Sequence, residues 1–272
     1  MTIKPLGVLW GKLTLRRRWQ WFEFDDQPWL PQTLRRVYMD ILGSNTFRIA
    51  PFARRLRADL ATADVCVIHS LCSGNGQFVY DLHRLLKSQV DVKFVLSDLF
   101  PIPVEYARIK TQSGGAIDFI PTPVDATAIR PAPGDWFLMA GSLHHLREAD
   151  VAQIIARITE SGGTLVMMEN HDRSFAQALK LLLIMPAYSI LASIFGRPFR
   201  WAKLLFGALL PIVPLMIVAD ALVSNFRSYR PEDLRSILRS LPDAHGYTVK
   251  ADRVRYGMVL SGAYFLLGRT NG

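Results

Sequence analysis

The chain has 272 residues, half of them hydrophobic, and a formal charge of +9. That length and apolar content support a large buried core and exclude a disordered or low-complexity chain. Two cysteines do not indicate a disulfide framework, no pair of metal-spaced Cys or His clusters occurs, and the basic balance suggests an acidic partner.

In chain order, residues 1–60 read as two or three helices forming an N-terminal helical cover. Residues 34–42 and 52–60 carry helical spacing, and 22–26 form a polar, cap-like turn. Phe24 and Trp29 are candidates to line an acceptor site, although aromatic residues in such a segment more often serve packing. Apolar residues 6–15 precede Arg16, Arg17 and Arg18, the reverse of a secretory signal, so a cytoplasmic chain is expected.

A β-branched run at 64–71 enters the turn Ser73, Gly74, Asn75, Gly76, and a helix is expected over 77–88. Glycines at the end of a first strand let the backbone fold back, so that a cofactor lies against bare peptide and the next helix start. A dinucleotide fingerprint needs a third small residue where Val79 stands, which argues against NAD or FAD. A nucleoside without a pyrophosphate fits better. Asp98, about twenty residues on, is where such folds place the carboxylate that accepts both ribose hydroxyls. Asp125 is the candidate for the adenine edge.

Further strands are expected at 92–97, 116–120, 135–140 and 163–168, with helices at 103–112 and 148–160. That alternation predicts an α/β fold with a parallel sheet wrapped by helices. The last segments, 246–255 and 258–268, are close enough in sequence to pair antiparallel.

Residues 175–223 stand apart as a hydrophobic insert. Two apolar runs flank a basic stretch containing Arg197, Arg200 and Lys203; Lys180 and Pro186 interrupt the first run, Pro211 and Pro214 the second. Spanning a bilayer takes about twenty apolar residues. The pattern therefore reads as an apolar helical hairpin that dips into one leaflet or covers the active site, with a buried helix pair or a homodimer interface as the alternatives. Asp220 and Arg227 are expected to form an ion pair.

Taken together, Leu71 to Gly76, Ser97-Asp98-Leu99, Val124-Asp125-Ala126, Ser142 to His145 and Gly162 to Glu169 resemble the ordered motifs of class I S-adenosylmethionine-dependent methyltransferases. The resemblance covers roughly residues 60–172, and the tail, with Tyr229 to Leu234, Gly246 onward and 263–268, resembles the closing helix and last two strands of that fold. Within the superfamily the chain is similar to a bacterial group with an aromatic, acidic stretch (here 22–29) and an Arg-Pro-Phe-Arg-Trp segment (here 197–201).

The resemblance implies a Rossmann-like, seven-stranded, mostly parallel sheet with the last strand antiparallel. The domain would span 61–272, with 175–223 inserted. The implied cofactor is S-adenosyl-L-methionine, held by Ser73, Gly74, Asn75, Gly76, Asp98, Leu99, Asp125 and Ala126. The superfamily pattern ends its first strand in an acid that helps hold the methionine ammonium; Ser70 and Cys72 stand at the candidate positions here.

Methyl transfer from a sulfonium needs approach geometry and a dry pocket, and a base only for a protonated nucleophile. His144 and His145, after the fourth strand, and Glu169, at the end of the fifth, are the catalytic candidates, with His171 a further one. The leading expectation is methyl transfer to a small hydrophobic or lipid-like acceptor by a protein peripheral on the inner face of the cell membrane, attached to anionic lipid. Two alternatives stay open: a non-catalytic membrane-associated scaffold with a degenerate methyltransferase fold, and an RNA methyltransferase. Nucleic acid is the weaker partner, because no module of interleaved basic and aromatic residues is recognisable.

Overall fold

The computed structural model describes residues 18, 21–42, 49–63, 65–197, 199–242, 244–256 and 260–270. The apolar run 6–15 and Pro198 lie outside them. In chain order the elements are α1 (Gln32–Leu42), α2 (Ile49–Leu60), β1 (Val67–Leu71), α3 (Gln77–Leu86), β2 (Lys93–Leu96), α4 (Pro103–Gln112), β3 (Ile117–Phe119), β4 (Trp136–Ala140), α5 (Glu148–Glu160) and β5 (Thr164–Glu169). Then follow α6 (Phe175–Phe195), α7 (Trp201–Leu204), a π-helical turn Leu205–Leu209, α8 (Ile212–Arg227), α9 (Pro231–Ser240), β6 (Tyr247–Tyr256) and β7 (Leu260–Arg269).

The chain divides into two compact units. A hairpin unit comprises Met1–Thr46, His171–Ser228 and Gly257–Ser261; a sheet unit comprises Phe47–Asn170, Tyr229–Tyr256 and Gly262–Gly272. The first 60 residues thus contribute to both. Helix α2 belongs to the sheet unit because Phe52, Leu56 and Leu60 pack in one core with Ile68, Leu82 and Phe94.

The sheet has seven strands in the order β3-β2-β1-β4-β5-β7-β6. Strands β1 to β5 pair in parallel, and β7 runs antiparallel to β5. This is the Rossmann-like arrangement that the sequence resemblance implies. Side chains alternate across each strand, so β5 sends Leu165 and Met167 into one core and Val166 and Met168 into the other. Helices α5 and α9 cover the first face, and α2, α3 and α4 the second. With both faces covered, β5 is buried from Leu165 to Glu169, which explains a near-continuous apolar run where a half-exposed strand would alternate. The chain leaves β1 for β2 and β3, then returns to β4 on β1's other side. The carboxyl ends of β1 and β4 therefore form the switch point where open α/β sheets bind ligands.

In the hairpin unit, α6 runs for 21 residues straight through Pro186, where the sequence suggested an interruption. The missing amide costs one helical hydrogen bond. Packing of Leu181 and Met185 with Val213, Met216 and Ile217 of α8 offsets it. Small residues let the elements approach: a Cβ on Gly207 would overlap the Ser193 Oγ. Lys203, fully buried, donates from Nζ to the Gly196 carbonyl (2.9 Å) and so satisfies the chain just past the α6 terminus.

The expected Asp220–Arg227 pair is not what forms. Arg227 reaches Glu23 (3.4 Å) and Asp26 (3.7 Å), while the Asp220 carboxylate accepts the Phe24 and Asp25 amides (2.7 and 3.3 Å). Ser224 Oγ donates to Glu23 (2.8 Å). The acidic stretch at 22–26 is thus a polar seam onto α8. Burial pushes the Asp220 carboxyl up to about 6, against the pull of its backbone donors.

Candidate functional site

The turn after β1 is built by its own polar groups. Ser73 Oγ lies within hydrogen-bond distance of the Ser70 carbonyl (3.0 Å) and hydroxyl (2.8 Å), which share its single proton, and Ser97 Oγ donates to the same Ser70 carbonyl (3.0 Å). Asn75 Oδ1 accepts the Gln77 amide (3.1 Å), so this side chain caps the start of α3. Ser70 itself is buried, and its hydroxyl is engaged in the serine cluster where the superfamily pattern would place an acid.

The two glycines do different jobs. Gly76 has φ of 76°, and a Cβ there would stand 2.7 Å from Leu96 Cδ1 and 2.9 Å from Ile109 Cδ1. It permits close packing of the turn on β2 and α4. Gly74, with φ of 55°, would meet nothing within 4 Å. The space over its Cα is open, while its amide and carbonyl are held by Asp98 and Tyr106, so a nucleoside can approach this exposed turn without meeting a side chain.

Asp98 closes the turn from the end of β2. Its Oδ2 accepts the Gly74 amide and its Oδ1 the Phe100 amide, each at 2.8 Å. A carboxylate has about four acceptor sites, so each oxygen keeps a lone pair for a further donor. Leu99 and Phe100, beside it, are exposed apolar side chains. Asp125 is exposed and caps a short 3₁₀ turn, Oδ1 accepting both the amide (2.8 Å) and the hydroxyl (2.7 Å) of Thr127. Those bonds, the side-chain one first, hold its pKa below the usual carboxylate value. Ala126, in that 3₁₀ turn, is buried against Ile129 in the α5 core. Both acids act on one thiol: burial, then Asp98 and Asp125, push Cys72 up to about 12. Cys72 itself takes the left-handed conformation (φ 52°), next to the turn that Asp98 holds through the Gly74 amide.

At the end of β4 a 3₁₀ turn, Leu143–His145, carries both histidines. Glu169, fully buried at the end of β5, reaches across: Oε1 accepts the Leu143 amide (3.0 Å) and Oε2 lies 2.7 Å from His144 Nδ1. Gly262 of β7 lets this happen, because any Cβ there would overlap the Glu169 carbonyl oxygen. His145 stacks beside His144 with ring centroids 4.3 Å apart. Of the candidates, then, His144, His145 and Glu169 form one cluster, with Glu169 orienting His144. His171 is buried in the hairpin unit, which also carries the half-buried Phe24 and the exposed Trp29, meeting edge to face at 6.3 Å.

Sequence reasoning missed Tyr106. Buried on α4, it donates from its hydroxyl to the Gly74 carbonyl (2.8 Å) and pins the turn from the far side. Burial, then the charge of Asp98, raises its pKa. No motif marks it; only its place in the first turn of the helix after β2 hints at the contact.

The donors fit a nucleoside sulfonium at one end and depart from the pattern at the other. The spare acceptor capacity of Asp98 and the open space over Gly74 suit a ribose at this turn. Where the superfamily pattern would place an acid for the ammonium, the chain has the buried Ser70, whose hydroxyl is bonded to Ser73.

No protein-family model matches the sequence, and neither does any curated protein. Among solved structures, the chain is similar to the mitomycin 7-O-methyltransferase at 15% identity and TM-score 0.47, over 83% of this chain and 54% of that one. Magnesium protoporphyrin IX methyltransferase from Synechocystis PCC 6803, with bound SAH, is similar at 13% identity and TM-score 0.49 over 87% and 93%. Human N-acetylserotonin methyltransferase in complex with SAM is similar at 16% and 0.49 over 88% and 56%. The chain spans about half the length of the mitomycin enzyme and of the pyocyanin biosynthetic protein PhzM (54% of each). The fold rests on the chain's own strand order, not on these distant likenesses.

Proposed function

We propose that this chain is an S-adenosylmethionine-dependent methyltransferase acting on a small hydrophobic or lipid-like acceptor at an anionic membrane surface. The observation that carries the reading is Asp98, with acceptor capacity to spare, bonded to the Gly74 amide beside the open space over that glycine at the β1 end of the switch point. The cofactor supplies an already activated methyl group, so the residues are asked mainly to bind, orient and exclude water. Asp98 accepts the ribose hydroxyls with its spare lone pairs, Leu99 and Phe100 offer apolar surface to the base, and Asp125 lies by the adenine edge. Glu169 Oε2, 2.7 Å from His144 Nδ1, orients the imidazole, and His144 is the group that takes a hydroxyl proton from the acceptor. The exposed apolar side chains of the hairpin unit support the hydrophobic acceptor and the membrane surface.

A second reading, a cofactor-free scaffold, is favoured by Ser70, whose hydroxyl is tied to Ser73 where an acid would hold the ammonium. Native purification followed by mass spectrometry separates the two. Retained S-adenosylmethionine or S-adenosylhomocysteine is the expected result; a folded protein that retains neither, and takes up neither when soaked, refutes the methyltransferase reading and selects the scaffold.

A further inference from the structure

Apart from Gln177 and Lys180, helix α6 is apolar on all sides, and the long stem of the half-buried Lys180 lets its ammonium reach the headgroup level of a bilayer. Its buried side, Ala178, Leu181, Met185, Ser189 and Ala192, follows helical spacing, and its opposite side carries Leu179, Leu183, Leu191 and Phe195, all exposed. A helix hydrophobic all round belongs in a protein core or an apolar medium. The protein core supplies only part of that medium, since 28% of the most apolar stretch of α6 is buried. The helix is long and apolar enough to cross a membrane, and the segments Trp201–Leu209 and Ile212–Arg227 bend by 69° at their junction. Phe199, Trp201, Leu209 and Leu215 of the same unit are exposed as well.

Charge is set beside this surface. Phe199 and Trp201, 58% and 77% exposed, meet edge to face at 5.3 Å between the exposed Arg197 and the start of α7. On the same unit, a cavity of about 290 Å³ is lined by Gln32, Thr33, Arg36, Val37, Arg200 and Ala202. Two guanidinium groups thus line one cavity. Asp40 holds Arg200 by a single bond, Oδ2 to Nε at 2.8 Å, and Arg36 has no acidic partner among the described residues. An arginine fork presents five donors suited to phosphate oxygens, and Gln32 and Thr33 add neutral polar groups.

We propose that the hairpin unit docks on an anionic phospholipid bilayer, the Arg36–Arg200 cavity taking a headgroup phosphate while Phe199, Trp201 and the exposed side of α6 enter the acyl boundary. The charge pattern argues for this occupant over a second copy of the chain: the exposed aromatic pair Phe199 and Trp201 flanks Arg200 of the arginine-lined cavity in sequence, so cationic and apolar groups alternate as they do in elements that bind anionic lipid. The inference rests on the membrane part of the proposed function and is independent of methyl transfer.

The test uses the full chain and flotation with vesicles of phosphatidylcholine, with and without phosphatidylglycerol, while S-adenosylhomocysteine binding is measured on the same preparations. Wild type should float with the anionic vesicles. At about fivefold per cation, Arg36→Ala with Arg200→Ala should weaken that binding about thirtyfold, and Phe199→Ser with Trp201→Ser should weaken it on both vesicle types. The circular dichroism spectrum and cofactor affinity should not change. Equal binding to neutral and anionic vesicles, or indifference to the arginine pair, overturns the proposal. So does saturation of the cavity by inorganic phosphate without vesicle binding, or a dimer in sedimentation that buries the apolar face and ignores vesicles. Loss of cofactor binding with vesicle binding intact refutes methyl transfer alone.

Discussion

Replacing each turn glycine by alanine separates the packing role of this loop from its proposed binding role. At Gly76 the new methyl would stand 2.7 Å from Leu96 Cδ1 and 2.9 Å from Ile109 Cδ1, and both neighbours are fully buried, so neither can swing aside without disturbing the core. Left-handed backbone costs a non-glycine residue about 1–2 kcal/mol and overpacking about 1–3 kcal/mol more, so Gly76→Ala should lose about 3 kcal/mol. At Gly74 the φ of 55° imposes the backbone cost alone, because nothing lies within 4 Å, and Gly74→Ala should lose about 1 kcal/mol. Urea unfolding followed by circular dichroism measures both, and calorimetry measures S-adenosylhomocysteine affinity. Gly74→Ala should stay folded yet bind at least about tenfold more weakly, the equivalent of about 1.4 kcal/mol. Equal losses of stability in the two variants would refute the packing argument. Unaltered affinity in Gly74→Ala would show that the open space over this glycine is not the cofactor's seat.

The remaining predictions concern single buried groups. Glu169→Gln should change the tautomer balance of the His144 imidazole, seen in nitrogen chemical shifts; an unchanged spectrum would remove Glu169 as the orienting residue. Cys72, its thiol pushed up to about 12, should resist iodoacetamide under mildly alkaline native conditions while exposed Cys66 reacts, and unfolding should abolish the difference in peptide mass spectra. Asp220 is raised in the folded chain, so its contribution to stability is fully present below the ordinary aspartate pKa and is lost as pH rises through about 6. Asp220→Asn should lack that decline; parallel stability profiles for the two proteins would refute it.

The sheet was legible because its signals are local. Apolar runs of strand length, glycine turns at their ends and helical spacing between them mark β1 to β5 within a few residues of where they form. Asp98 was legible for the same reason, since its distance from the turn is set by one βαβ step. What escaped were contacts made by folding. The Tyr106–Gly74 bond joins residues 32 apart, and the Ser70, Ser73 and Ser97 hydroxyl cluster joins two strand ends. The reach of Glu169 to His144 depends on the room Gly262 leaves on a strand almost 100 residues later. Pro186 misled in the opposite direction: its local signal is a helix break, and packing within the hairpin unit overrides it.

Titration of the purified chain with S-adenosylhomocysteine in a calorimeter, beside Asp98→Ala, tests the proposed methyltransferase most directly. Stoichiometric binding is expected, weakened in the variant by about 1–3 kcal/mol as buried hydroxyl donors lose their acceptor. A folded wild-type chain that binds no cofactor, or an Asp98→Ala variant that binds it equally well, would contradict it.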